Sequence, residues 1–240
     1  MAQKNIQYED CTLRIAYSII DNQANKNMLF LHGWGSNKEI MRTAFSKYFK
    51  NFNHIYVDLP HFGGSEALVF LDTYGYAKVI NEFLNHISIN GVAGCDVVVG
   101  HSFGGKVALL LQKEIILLSS AGILLPKSLK IKLKILFAKL AKILGIRASF
   151  LRADDAKGLS PIAYEIFKCV VGEDFYEEYA NFYKKATIFW GKDDKATPLK
   201  SFQIICSIMP SAKSYVLDGD HYFFLQQARE IDRLYRLPSN

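Results

Sequence analysis

The sequence has few of the residues that mark disulfide-bonded or metal-bound domains. Its 240 residues contain only four cysteines, and no two of them form a Cys-x-x-Cys pair. A disulfide framework and a clustered zinc site are therefore not expected. The cysteines, which we expect to be reduced thiols, are Cys11, Cys95, Cys169 and Cys206.

Long hydrophobic runs are also missing. No uncharged apolar stretch reaches the ~18 residues that a membrane-spanning helix needs. The first ten residues include Lys4, Glu9 and Asp10 and lack the apolar core of a signal peptide. We therefore expect a cytoplasmic protein without stable membrane insertion.

Acidic residues are absent from one segment that is rich in basic ones. The whole chain has 29 Lys and Arg against 23 Asp and Glu, a formal charge of +6, and half of its residues are hydrophobic, which is typical of a globular domain. Residues 126–147 hold seven basic residues and no acid, so the excess of charge belongs to this segment. No nucleic-acid-binding motif accompanies it, and we expect no nucleic-acid partner.

Short apolar runs alternate with helical patterns along most of the chain. This alternation predicts an α/β fold with a mainly parallel, doubly wound sheet, in which the second, fourth and fifth strands are central because they are continuously apolar. The predicted strands are Thr12–Ser18, Met28–Leu31, His54–Val57, Val97–Val99, Ile115–Leu118, Thr187–Trp190 and Ser214–Leu217. The predicted helices are Thr73–Ile89, Phe103–Gln112, Leu199–Ile208 and His221–Tyr235.

The alternation breaks between residues 123 and 185, which read as helix without a strand. We predict a core formed by residues 1–122 and 186–240, and a helical lid inserted at 123–185. Leucines at helical spacing give the lid one apolar stripe, with most of its lysines opposite. A lid helix with solvated lysines is the favoured interpretation; a docking surface for an acidic partner and a membrane-surface helix are the alternatives. The leucines of the stripe are Leu129, Leu133, Leu136, Leu140 and Leu144.

The sharpest chemical signal is Gly100-His101-Ser102-Phe103-Gly104, which lies between a predicted strand and a predicted helix. A Gly-x-Ser-x-Gly turn in this context is typical of a nucleophile elbow, where Ser102 is held in a strained conformation with its hydroxyl exposed. A glycine-rich turn with an inert serine is the alternative.

The partners of such a serine follow it in the order acid, then histidine. His221 is the one histidine well beyond Ser102, and Asp194, chosen over Asp193, follows the penultimate strand. Two backbone N–H groups would hold an oxyanion, one from Phe103 and one from Trp34, in the glycine-flanked turn after the second strand. No metal or organic cofactor is needed for this chemistry.

Five motifs in this order resemble the α/β-hydrolase family over about residues 1–120 and 186–240. The resemblance implies that Ser102 is the nucleophile, Asp194 the acid and His221 the base, with Trp34 and Phe103 lining the oxyanion hole. One departure is His61, where relatives usually have glycine. The motifs are HGWG at 32–35, DLPHFGGS at 58–65, GHSFGG at 100–105, GKDDKATP at 191–198 and GDH at 219–221.

Two branches of that family fit the chain. The first, which we rank first, contains carboxylesterases such as the pimeloyl-acyl-carrier methyl ester esterases, whose basic lids meet an acidic acyl-carrier protein. The second cleaves C–C bonds of dienoates and usually has Asn where this chain has His101. We expect a small-molecule ester or acyl substrate, contacted by His32, His101, Arg147 and Arg152. A non-catalytic binding module is a third, less favoured hypothesis.

Overall fold

A computed structural model describes residues 2–126 and 161–238 of the protein. The strands within these ranges are β1 (Ala2–Tyr8), β2 (Cys11–Ile20), β3 (Asn27–Leu31), β4 (Asn53–Val57), β5 (Ser88–Ile89), β6 (Val92–Ala93), β7 (Val97–His101), β8 (Glu114–Leu118), β9 (Ala186–Gly191) and β10 (Lys213–Leu217). The helices are α1 (Lys38–Phe45), α2 (Thr73–Asn85), α3 (Phe103–Leu110), α4 (Pro161–Gly172), α5 (Tyr176–Ala180), α6 (Leu199–Ile208) and α7 (Phe224–Tyr235).

Eight of these strands form one sheet in the order β1-β2-β4-β3-β7-β8-β9-β10. Strand β2 pairs antiparallel with β1 and with β4, and every other pair of neighbours is parallel. The three strands predicted to be central, β3, β7 and β8, are neighbours in the middle of the sheet and are almost entirely buried. The predicted α/β fold with a mainly parallel sheet is confirmed.

Helices cover both faces of the sheet, as continuously apolar strands require. On one face, α1 and α7 pack against each other, and rings of Phe30, Phe45 and Phe224 stack with centroids 5.4 and 6.0 Å apart. On the other face, α2 packs against α3, and α3 lies on β3, β7 and β8. The doubly wound arrangement brings the carboxyl ends of the parallel strands to one edge.

Two elements at the start of the chain lack a strong sequence pattern. Strand β1 is an edge strand in which Ile6 is the one fully buried residue, so it shows almost no hydrophobic alternation. Helix α1 is only eight residues long, and its clearest signal is Asn37, whose side chain accepts the N–H of Glu39 at the helix start.

The helix predicted over Thr73–Ile89 is shorter than expected. It ends at Asn85, and a two-stranded hairpin follows, closed by Asn90 and Gly91, both with positive φ. An Asn-Gly pair between two short strands is the usual sequence of a type I′ turn. Ser88 and Ile89, the last two residues of the predicted helix, instead form the first strand of this hairpin.

The chain divides into two compact units, one formed by Met1–Ile123 with Asp174–Asn240 and the other by Leu124–Glu173. The second unit ends before the predicted lid boundary at 185. In the first unit, the N–H of Phe175 donates to the Gly122 carbonyl (2.7 Å) and the Tyr179 hydroxyl to the Ala121 carbonyl (2.6 Å). These bonds fasten α5 to the end of β8. In the described part of the chain, no helix is long and apolar enough to cross a membrane.

Candidate active site

The predicted triad and oxyanion residues all follow parallel strands at their carboxyl ends. Trp34 follows β3, Ser102 follows β7, Asp194 follows β9 and His221 follows β10. In open α/β sheets, ligands bind in the crevice outside this edge.

Ser102 has the strained backbone of an elbow. Its φ and ψ are 51° and −113°, although it carries a side chain, and it stands between the last residue of β7 and the first of α3. Its N–H donates to the Leu118 carbonyl, and its carbonyl accepts from Gly105 and Ala121, which holds the conformation in place. The hydroxyl makes no capping hydrogen bond to the helix. Strain of this kind clusters at functional sites.

The glycines of the motif are required by close backbone contacts. A Cβ on Gly104 would lie 2.6 Å from the carbonyl oxygen of Leu31 and 2.7 Å from that of His32. A Cβ on Gly100 would lie 2.5 Å from the carbonyl oxygen of Gly104. The elbow therefore packs directly onto the end of β3, which no other residue type at these positions would allow.

Asp194 is buried and fully hydrogen-bonded. The N–H groups of Ala196 and Thr197 donate to Oδ1 (2.8 and 2.9 Å), and Oδ2 lies 2.8 Å from the Thr197 hydroxyl and 2.8 Å from His221 Nδ1. Burial by itself raises the pKa of Asp194, but the hydrogen bonds from His221, Ser119 and Thr197 outweigh it and hold the pKa below its usual value. The carboxylate is ionised at neutral pH.

His221 lies in the turn between β10 and α7. The helix that the sequence predicts from His221 onwards begins only at Phe224. Its side chain is 15% exposed, whereas that of Asp194 is completely buried. A carboxylate can only accept, so Nδ1 carries the proton and Nε2 is left with a lone pair. The pair can thus provide an oriented general base at the edge of the sheet.

The turn after β3 lies against the elbow. A Cβ on Gly33 would approach Cβ of Ser102 to 3.2 Å, and the ring of Trp34 lies edge-on to that of Phe103 at 5.6 Å. Phe103 is the first residue of α3, where N–H groups have no acceptor within the helix. The start of α3 and the turn after β3 therefore lie beside Ser102, where the sequence predicts an oxyanion site.

His32 does not have the substrate-facing position that we expected. Its side chain is completely buried; the Leu59 N–H donates to Nε2 (3.0 Å), so Nδ1 carries the proton and donates to the Gly33 carbonyl (2.8 Å). Burial lowers its pKa to about 4. With both nitrogens engaged and no accessible surface, His32 supports the turn after β3 rather than a substrate.

The other residues expected at a substrate divide into two groups. His101 is 1% exposed, so it too lies beneath the site rather than on its surface. Arg147 and Arg152 lie outside the described residues, as does nearly all of the basic segment at 126–147, and their roles stay predictions.

Two polar residues that the sequence analysis missed support Asp194. The Thr197 hydroxyl bonds the carboxylate, and Ser119, at φ 45° after β8, has its hydroxyl 3.3 Å from the Gly191 N–H. An Asp whose side chain accepts main-chain N–H groups two and three residues later is a recognisable turn signal, and Thr197 stands at the third position. The described residues contain no group of three His, Cys, Asp or Glu that could hold a metal ion.

His61, the departure noted in the sequence, also has an explanation. It has φ 71°, a left-handed conformation that favours glycine, and its ring nitrogens lie 3.0 Å from the Tyr76 hydroxyl and 2.9 Å from the Val69 carbonyl. These two bonds oppose the backbone strain. Tyr76 in turn packs edge-on against Phe103, so the turn after β4 supports the start of α3.

Comparison with known proteins agrees with this geometry. The model of a family described as the alpha/beta hydrolase family matches residues 28–234. Epoxide hydrolase 3 of Xenopus tropicalis is 30% identical over 43% of this chain and 28% of its own length. The pimeloyl-[acyl-carrier protein] methyl ester esterase of Cronobacter sakazakii is 29% identical over 36% of this chain and 30% of its own length. The chain thus spans under a third of the length of these two relatives.

A solved structure, an esterase from Exiguobacterium antarcticum, superimposes with a TM-score of 0.73 at 17% identity and covers 98% of both chains. At this identity the likeness concerns the fold.

Proposed function

Because the chain belongs to the alpha/beta hydrolase family, we propose that it is a serine hydrolase that cleaves carboxylic esters or thioesters through an acyl-enzyme. The observation that carries the proposal is the 2.8 Å bond between the buried Asp194 carboxylate and the partly exposed His221, on the edge where the strained Ser102 lies. The esterase name of one relative supports the substrate class.

Acylation begins with attack of Ser102 Oγ on the carbonyl carbon of the substrate, while His221 Nε2 takes the hydroxyl proton. The negative charge that develops on the carbonyl oxygen is stabilised by the main-chain N–H groups of Trp34 and Phe103. Asp194 stabilises the imidazolium and keeps Nδ1 protonated.

The tetrahedral intermediate then collapses. His221 Nε2 gives its proton to the leaving alkoxide or thiolate, the bond to the leaving group breaks, and the acyl group stays on Ser102. A water molecule, deprotonated by the same nitrogen, attacks the acyl-enzyme and releases the carboxylic acid. The proton returns to Ser102 Oγ.

The test is hydrolysis of p-nitrophenyl esters, from acetyl to dodecanoyl, by the wild type and by Ser102→Ala. We expect the variant to lose roughly 10³-fold or more in kcat, the scale on which loss of a triad member acts. The matched control is Ser207→Ala, an exposed serine in α6, which is expected to keep full activity.

Equal activity of Ser102→Ala and the wild type would contradict the proposal. If the wild type hydrolyses no ester of the series, the cleavage of a C–C bond next to a ketone becomes the better hypothesis, and dienoate substrates would be tested next.

A further inference from the structure

His101 connects the strand that carries the nucleophile with two other parts of the site. It is the last residue of β7 and precedes Ser102 directly. Its Nε2 lies 2.9 Å from the main-chain carbonyl oxygen of His221, and a Cβ on Gly33 would approach its Nδ1 to 2.9 Å. The elbow, the turn of the base and the turn after β3 therefore meet at one buried imidazole.

The hydrogen bond fixes the protonation of this ring. A carbonyl oxygen can only accept, so Nε2 carries the proton and donates it to His221. Among the described residues, Nδ1 has no hydrogen-bond partner although it is buried. An apolar ring in this space would avoid the unsatisfied Nδ1 but would leave the His221 carbonyl oxygen without this donor. The chemical advantage of histidine at this position is therefore the donor at Nε2.

We propose that His101 is a positioning residue, whose Nε2–H holds the main chain of His221 so that the imidazole of His221 stays on Asp194 and directed to Ser102. The proposal rests on the proposed serine-hydrolase function. It gives His101 an indirect role, because this side chain is closed off from the surface where substrate would bind.

The surroundings of His101 fit such a role. Its ring packs against those of His221, Phe224 and Tyr222, with centroids 4.6, 4.7 and 5.2 Å away, so it has little room to turn. The pKa of His101 is lowered to about 3, mainly by burial and to a smaller extent by the neighbouring His221. The ring is therefore neutral at ordinary pH and adds no positive charge against the imidazolium that forms on His221 during the reaction.

Two substitutions separate the donor from the space that the ring fills. His101→Phe keeps an aromatic ring and removes the donor, whereas His101→Gln keeps an N–H at a comparable distance from the backbone. Each protein is titrated with a fluorophosphonate so that rates are expressed per reactive serine. We expect His101→Phe to lower kcat for p-nitrophenyl esters about tenfold, with little change in KM. The rate of Ser102 labelling should fall by the same factor. His101→Gln should recover most of the lost kcat and of the lost labelling rate.

His54→Phe is the matched control. His54 is also completely buried, and its Nε2 also bonds a main-chain carbonyl, that of Phe49 at 3.1 Å, but it lies at the opposite end of its parallel strand. It is expected to lose stability and to keep kcat per reactive serine. This comparison separates a role at the site from the general effect of removing a buried imidazole.

Wild-type kcat and labelling rate in His101→Phe would overturn the proposal, as would a His101→Gln protein as slow as His101→Phe. Absence of Ser102 labelling in the wild type would instead contradict the proposed function, and this proposal with it. If His101→Phe does not fold, nitrogen-15 NMR of the wild-type imidazoles decides. We expect His101 protonated at Nε2 and not at Nδ1 near neutral pH, and the opposite tautomer would overturn the proposal.

Discussion

Thr197 shows how a single side chain can orient the candidate acid. Its hydroxyl lies 2.8 Å from Asp194 Oδ2 and 3.1 Å from the Ser119 carbonyl, and its own carbonyl accepts the indole N–H of the buried Trp190. The hydroxyl therefore shares the carboxylate oxygen that receives His221. Thr197 and Asp194 lie in the same loop after β9, so this hydrogen bond is formed within that loop.

Thr197→Val is expected to lower kcat about tenfold with KM nearly unchanged. The variant removes one hydrogen bond to an ionised carboxylate, a bond worth about 1.5–3 kcal/mol, while the two main-chain donors to Oδ1 remain. Steady-state kinetics on a p-nitrophenyl ester measure the effect, and Thr197→Ser should restore most of the activity.

The control for this substitution is Thr187→Val. Thr187 is buried, its hydroxyl has no partner among the described residues, and it lies near the start of β9, away from the site. Thr187→Val should keep kcat. A similar loss in both variants, or no loss in Thr197→Val, would contradict the role given to Thr197.

Among single residues, the sequence predicts those that a motif identifies or that follow one another in a known order along the chain. Ser102, Asp194 and His221 follow from the elbow and from the order of the triad, and the structure places them on one edge. His32 and His101 were expected to contact the substrate, but both are buried. Their burial depends on side chains from distant elements, which no local pattern contains.

The proposed nucleophile elbow is the element on which the candidate site depends. Strand β7, Ser102 and α3 form one strand–turn–helix unit that packs on the end of β3 with almost no space between backbones. Because the contact atoms at Gly104 are main-chain carbonyl oxygens, they cannot rotate away from an added methyl group.

Gly104→Ala should therefore displace the turn after β3 from Ser102. We expect kcat/KM to fall at least tenfold and the free energy of unfolding to fall by about 1–3 kcal/mol, the usual cost of overpacking. Ester kinetics and urea unfolding measure the two effects. Gly172→Ala, at the end of α4, is the control, since an added Cβ there meets nothing within 4 Å. Full activity in Gly104→Ala would mean that the elbow and the turn move independently.

Element prediction succeeds where burial leaves a strong pattern. All seven predicted strands are present. Five of them, β3, β4, β7, β8 and β9, are buried along nearly their whole length, and a strand buried on both faces is apolar throughout. Strand β1 escapes prediction because an edge strand needs little apolar surface. The hairpin at 88–93 was overlooked although its Asn-Gly turn is visible in the sequence.

At the scale of the whole molecule, three buried histidines make stability depend on pH. His32, His54 and His101 are almost completely inaccessible, and burial lowers their pKa values to about 4, 4 and 3. In the unfolded chain each binds a proton near pH ~6.5, so between that pH and their folded values the unfolded state holds more protons. Lowering the pH through this window favours unfolding.

The free energy of unfolding should therefore decrease as the pH falls from about 6.5 towards 4, by up to ~1.4 kcal/mol per pH unit for each of these histidines. Urea unfolding at a series of pH values measures this slope. His54→Phe should be less stable at neutral pH and should show a shallower slope, because one of the three groups no longer titrates. An unfolding free energy independent of pH in this window would contradict the burial of these rings.

The fold and the positions of the three proposed triad residues follow from the sequence because the motifs mark the ends of the parallel strands. The predicted lid at 123–185 stays a prediction, since most of it lies outside the described residues. The hydrogen bonds of Phe175 and Tyr179 to Gly122 and Ala121 are tertiary contacts that the local sequence does not reveal, and they connect α5 to the unit that contains the sheet.

The central claim is that Ser102 is a nucleophile activated by His221, and its most direct test is mass spectrometry of the fluorophosphonate-treated protein. The Ser102 hydroxyl attacks the phosphorus of the probe while His221 takes its proton. Fluoride leaves, and a stable phosphonate ester forms on Ser102. We predict a single adduct on the peptide that contains Ser102, formed roughly 10³-fold more slowly in His221→Ala. An adduct on another residue, no adduct, or equal labelling of the wild type and His221→Ala would contradict the account.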